Sequence, residues 1–129
     1  MSKCSCNCNC DSAPRLIFPC SGASDTGELT DRAARKMTQD GIGSMACLAG
    51  IGGQVNGIVL SAEAAGSLMA IDGCPLNCAK KTLEHAGLKN ILHIQLTELG
   101  LLKGQSRISE DNIDLVKEKG KQLLEEVCI

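Results

Sequence analysis

The chain has no Trp and no Tyr, and Phe18 is its only aromatic residue. A core without aromatic rings must rest on Leu, Ile, Val, Ala and Met, packed closely with the help of 14 glycines. The same lack removes the platforms on which single-stranded bases stack. A net charge of −2 adds no electrostatic footprint for nucleic acid, so no nucleic-acid partner is expected. The polar start Met1-Ser-Lys-Cys-Ser-Cys also lacks the apolar stretch of a secretory signal. The run from Ile42 to Ile71 is apolar over a membrane-spanning length, but Gln54, Asn56, Glu63 and several glycines interrupt it. A charge at the bilayer centre costs roughly 2.5–3.5 kcal/mol even on gentle scales. The run is therefore expected to be a buried strand–helix–strand unit, and no membrane association is expected.

What the chain has in excess is cysteine, nine in 129 residues. In a secreted protein that count would suggest disulfides; without an export signal it points to metal or redox chemistry in the cytoplasm. Residues 1–13 (MSKCSCNCNCDSA) are too polar to pack and read as a flexible cysteine-rich tail. Residues 14–129 are long enough for a single α/β domain with its own core.

Along that domain, Arg15 to Pro19 reads as a buried strand and Glu28 to Gln39 as a helix stopped by Gly41. Ser44 to Ala49 reads as a second strand and about Gln54 to Ala65 as a second helix. Ser67 to Asp72 is a third strand. Pro75 to Ala86 has proline in its first turn and Gly87 at its end, the clearest helical signature of the chain. Ile91 to Leu96 alternates as a fourth strand, and Ser109 to Val127 makes the last helix. Strand and helix alternating four times predict a mostly parallel sheet of about four strands with helices on both faces, a three-layer α/β sandwich.

On that map Cys20 follows strand one, Cys47 lies near the end of strand two, and Cys74 follows strand three. Cys78 stands one turn into the helix beyond. Parallel strands open their C-terminal ends on one edge, so thiols distant in sequence are expected to converge there. If Cys74 caps the helix and Cys78 sits in its first turn, their Cβ atoms stand about 5–6 Å apart. A disulfide wants about 3.5–4.5 Å, whereas two thiolates on one tetrahedral Zn²⁺, with Zn–S near about 2.3 Å, tolerate the wider spacing. The helix start adds partial positive charge and free N–H groups that favour thiolates. Lys80 and Lys81 could offset the charge of a tetrathiolate centre, or simply be solvated helix lysines. The competing interpretation is that small cysteines merely pack beneath glycine-rich loops.

The stretch Ile71-Asp-Gly-Cys-Pro-Leu-Asn-Cys-Ala-Lys-Lys-Thr-Leu83 resembles the signature of the DGC-domain family, named after the Asp-Gly-Cys found here as Asp72-Gly73-Cys74. Pro19-Cys-Ser-Gly22, Ala46-Cys-Leu-Ala-Gly-Ile-Gly52 and Leu96-Thr-Glu-Leu-Gly100 are similar to its other recurrent segments, in the same order. The resemblance covers about residues 15 to 126 and implies zinc held by Cys20, Cys47, Cys74 and Cys78. It implies a ligand and no particular reaction.

In the tail, Cys4, Cys6, Cys8 and Cys10 alternate with Ser and Asn. Held as a strand they would span about 20 Å, too far for one ion, but a wrapping tail could chelate a soft ion such as Zn²⁺ or Cu⁺ as a secondary metal site. The alternative is a disordered, partly oxidised tail. Cys128 reads as a bystander, His85 and His93 are not chosen as ligands, and Asp72 is a candidate acceptor that orders the site from behind the thiols. The Ser21 to Gly27 loop could cradle an anion but lacks the Gly-Lys-Ser/Thr ending of a nucleotide loop. The leading expectation is one zinc ion in a closed tetrathiolate site, which has no open position for water and suits a non-enzymatic role. The alternatives are a thiol redox or sulfur-transfer enzyme using Cys74 and Cys78 with Cys20 as partner, and an iron–sulfur protein. A homodimer is compatible with the glycine-rich aliphatic surface, and the sequence identifies no protein partner.

Overall fold

A computed structural model describes residues 13–127 of the chain. In order they form β1 (Arg15–Pro19), α1 (Asp25–Gln39), β2 (Ser44–Met45), α2 (Leu48–Gly52), α3 (Asn56–Glu63), β3 (Ser67–Asp72), α4 (Cys78–His85), β4 (Ile91–Gln95), a 3₁₀ turn (Leu96–Leu99) and α5 (Glu110–Val127). The four strands make one sheet in the order β2-β1-β3-β4, and every pairing is parallel. This is the predicted α/β architecture.

Period-two alternation divides the strand residues between the two faces. Ile17, Met69, Ile71 and Ile94 lie under α1 and α5, packed against Leu29, Ala33, Met37, Ile113, Val116 and Leu124. Phe18, Leu68 and Ala70 face the other way, onto Ile51 of α2, Ala62 of α3, and Ala79 and Leu83 of α4. Each fully buried Leu, Ile, Val, Met or Phe side chain among these contributes on the order of 1.5–3 kcal/mol relative to exposure. Both faces are covered, so the strand ends are left as the part of the sheet open to chemistry.

The largest differences from the sequence expectation lie at the starts of α1 and α4 and at the end of β2. Helix α1 begins at Asp25 because the Ser24 side chain caps it, its Oγ accepting from Gly27 N at 3.1 Å. Strand β2 shrinks to Ser44–Met45, extended only by Ala46 N donating to Ile17 O at 2.8 Å. The chain then turns into the short helix α2, which was not expected. Gly50 allows that helix to lie on Ile58 of α3; a Cβ there would run into the Ile58 side chain. Helix α4 begins at Cys78, three residues after the proline that was expected to start it. The proposed tail lies outside the described residues apart from Ala13, which packs against Gly66, and the fold begins where Gly66 N donates to Pro14 O at 2.8 Å.

Candidate functional site

Three neighbouring strands each deliver a cysteine just past their C-terminal end. Cys20 directly follows β1, Cys47 comes two residues after β2, and Cys74 two residues after β3. Cys78 is the first residue of α4. All four are free thiols; Cys20 and Cys74 are half-buried, Cys47 and Cys78 exposed. Cys4, Cys6, Cys8, Cys10 and Cys128 lie outside the described residues.

The backbone therefore brings the four positions to one edge of the sheet. Their side chains are not gathered into a cage: among the described residues, no three His, Cys, Asp or Glu side chains stand close enough to hold one metal ion. Cys20 and Cys47 line a shared cleft of about 490 Å³, with Met45, Ala49, Gly52 and Thr82 among its walls. Neither Cys74 nor Cys78 lines it, although Thr82 belongs to the turn of α4 that follows Cys78 and donates to the Cys78 carbonyl at 2.6 Å. A second cleft of similar size, about 470 Å³, runs between α1 and α5, but the charged side chains lining it pair among themselves, as Arg32 does with Glu28 and Arg35 with Asp31.

The loop after β1 is held by α1. Ser21 takes the left-handed conformation (φ 51°), a costly choice for a non-glycine residue, and two contacts keep it there. Its N–H donates to Thr30 Oγ1 at 3.1 Å and its hydroxyl to Asp31 Oδ1 at 2.8 Å. Burial pushes the Asp31 carboxyl up, but hydrogen bonds from Arg35 and Ser21 and the charges of Arg35 and Arg32 outweigh it and hold the group below its ordinary value. Thr30 is fully buried and donates its own hydroxyl to Gly27 O at 2.7 Å. The Cys20 S–H is then the donor in the 3.6 Å contact between Cys20 Sγ and Thr30 Oγ1. The sequence offers no signal for this role of Thr30, because its helix packs against the strand only in the folded molecule.

The loop after β3 explains its Asp-Gly-Cys residue by residue. Asp72 is 1% exposed and turns its carboxylate under α4, accepting from Ala79 N at 2.7 Å and Lys80 N at 3.1 Å. Gly73 lies against the first turn of α1, where an added Cβ would stand 2.9 Å from the Thr26 carbonyl carbon and 3.0 Å from Gly27 N. Cys74 then opens a turn closed by Asn77 N donating to Cys74 O at 3.2 Å. Asn77 is left-handed (φ 55°), a conformation that asparagine tolerates, and Gln95 Nε2 pins its Oδ1 at 2.8 Å.

Two expectations about this loop are overturned. Cys74 does not cap a helix, because the turn and the left-handed Asn77 separate it from α4, so the spacing argument that assumed a continuous helix does not apply. Nor does the helix start leave all its N–H groups for thiolates, since Asp72 takes two of them. Asp72 is an acceptor, and what it accepts from is the helix that carries Cys78. His93, set aside as a ligand, places Nε2 2.9 Å from Asp72 Oδ2. Parallel register could have signalled this contact: Ala70 pairs with His93 and Asp72 with Gln95, which puts His93 and Asp72 on one face one pleat apart.

The family model described as the DGC domain matches residues 16–120. The "Anaerobic and virulence modulator AnvM" of Pseudomonas aeruginosa is 36% identical over 96 residues, which cover 74% of this chain and 71% of that protein. No solved structure matches the chain.

Proposed function

Since the chain belongs to the DGC domain family, we propose that it is a metal-binding regulatory protein in which Cys20, Cys47, Cys74 and Cys78 together take up one Zn²⁺. The observation that carries the proposal is the arrival of cysteines at the ends of three adjacent parallel strands, with a fourth opening the next helix. Four thiolates are a soft donor set suited to a d¹⁰ ion, and four such ligands complete a tetrahedral site. In donor type and number the residues fit zinc. They do not stand as a closed cage, so the ion itself has to draw the four thiols together, which couples its uptake to closure of those side chains around it.

Zinc in such a site supplies charge and cross-linking, not a reactive water, because no coordination position is open. The protein's own residues do the rest: Thr30 and Ser21 fix the Cys20 loop, and Asp72 fixes the start of α4. Thiolate ligation requires reduced cysteines, so a reducing compartment such as the cytoplasm belongs to the proposal. The name of the Pseudomonas aeruginosa relative describes it as an anaerobic and virulence modulator. A thiol centre that loses its ion on oxidation would give the present chain a comparable regulatory role.

Elemental analysis of the untagged, reduced full chain, with its absorption spectrum, tests the proposal. Colourless protein that loses one equivalent of zinc in a Cys74→Ser variant supports it. Iron with broad visible absorption moves the assignment to an iron–sulfur protein. A metal-free edge whose Cys74 and Cys78 cycle with a dithiol reductant moves it to a thiol redox enzyme. The absence of Trp and Tyr leaves the ultraviolet unusually clear for these measurements.

A further inference from the structure

The cleft that Cys20 and Cys47 share does not end at the thiols. Gly52 and Thr82, two of its walls, also line a second hollow of about 380 Å³ between α2 and α4, whose other walls include Gln54, Lys81 and His85. The two hollows therefore join across Gly52. This glycine leaves the junction open: an added Cβ there would meet only Thr82 Cγ2, at 3.8 Å. Each hollow has a size common for small-molecule sites, about 300–1,000 Å³.

The charge along this groove is one-sided. No carboxylate lines either hollow, and among the described residues no ion pair includes Lys81. At the other end Cys47 is exposed, while Cys20 is half-buried with its S–H donated to Thr30. Accessible thiols in electropositive surroundings are the ones that react. Cys78 is also exposed but lines neither hollow.

We infer that Cys47 is a site of reversible modification by a small disulfide bearing carboxylates, which lies in the groove with an anionic end on Lys81 and His85. The Cys47 thiolate attacks one sulfur of the disulfide. A new S–S bond to Cys47 forms, the original S–S bond breaks, and its electron pair leaves on the second half as a thiolate that takes up a proton. Cys47 is oxidised and the departing half reduced, so no further oxidant is needed. Modified Cys47 no longer ligates a metal; this consequence, though not the modification itself, rests on the proposed zinc role.

The test uses the reduced full chain, freed of metal by a chelator, and follows the loss of each free thiol by alkylation and peptide mapping. Glutathione disulfide is the anionic probe and hydroxyethyl disulfide the neutral one; the ratio of their rates at one thiol cancels that thiol's own reactivity. The ratio at Cys47 is expected to exceed that at Cys78 several-fold. Lys81→Glu reverses the charge, and Gly52→Leu fills the junction without altering charge. Each should lower the Cys47 ratio several-fold and leave its rate with the neutral probe in place. Equal ratios at Cys47 and Cys78, or a Cys47 ratio that either variant leaves unchanged, overturn the modification site. A chain modified at Cys47 that still takes up a full equivalent of zinc removes Cys47 from the metal site and upholds the modification, so the two assignments fail separately.

Discussion

Nε2 of His93 on β4 lies 2.9 Å from Oδ2 of Asp72 at the end of β3, and the same carboxylate holds the first turn of α4. One buried acid thus ties together two strands and the helix that presents Cys78. Removing it leaves the Ala79 and Lys80 N–H groups, and one nitrogen of His93, without their acceptor.

Asp72→Ala is therefore expected to destabilise the fold by about 2–3 kcal/mol, the range for unpaired buried donors and a lost helix cap. Asp72→Asn keeps one acceptor oxygen but turns an NH₂ toward a donor, and should fall between wild type and Ala. His93→Ala leaves both helix contacts in place and should cost only about 1 kcal/mol. Urea denaturation of the three variants checks the order; an Asp72→Ala protein as stable as wild type would remove the anchoring role.

Gly73 touches backbone at the start of α1, and backbone cannot swing aside as the end of a long side chain can. Gly73→Ala should cost about 1–3 kcal/mol through overpacking. Unchanged thermal unfolding would show that the two loops separate easily.

Asp25 supplies a pH-dependent contact. Its Oδ1 accepts from Gly104 N at 2.8 Å and from Thr26 N at 2.7 Å, and its Oδ2 from Ser106 N at 2.9 Å. The bonds from Gly104 and Ser106 are the main reason that its carboxyl titrates below the ordinary value of 3.8. A depressed folded value means that the tether is fully present above that ordinary value and is lost as pH falls from it through the folded value. Amide exchange at Gly104 and Ser106, corrected for intrinsic rates, should accelerate across that acidic window and not between neutral pH and 5. The Asp25→Asn variant should lose the dependence.

Zinc should stabilise the reduced protein by mass action. At free ion a hundredfold above the dissociation constant the expected gain is about 2.7 kcal/mol, reversed by a chelator. In the edge variant Cys20→Ser with Cys74→Ser that gain should vanish. Persistence of the full shift there would place the stabilising ion elsewhere.

Much of the scaffold was legible because it rests on local pattern. The apolar runs Arg15 to Pro19 and Ser67 to Asp72 form strands over those residues, and Ile91 and the last helix fall within a residue of expectation. The stretch from Ala46 to Ala49 misled because its short apolar run of Ala, Cys and Leu fits strand or helix alike. Close packing of Gly50 on Ile58, a contact eight residues away, favours the helix.

Hydrophobic periodicity and cysteine spacing in the sequence determined the parallel α/β sheet and the arrival of Cys20, Cys47, Cys74 and Cys78 at its C-terminal edge, because chain direction alone carries strand ends there. Where α4 begins, which groups hold the Cys20 and Cys74 loops, and which thiols share a cleft were decided only by tertiary structure. Those outcomes depend on Asp72, His93 and Thr30 reaching across elements, and contacts of about 3 Å between distant segments leave no periodic trace in the chain.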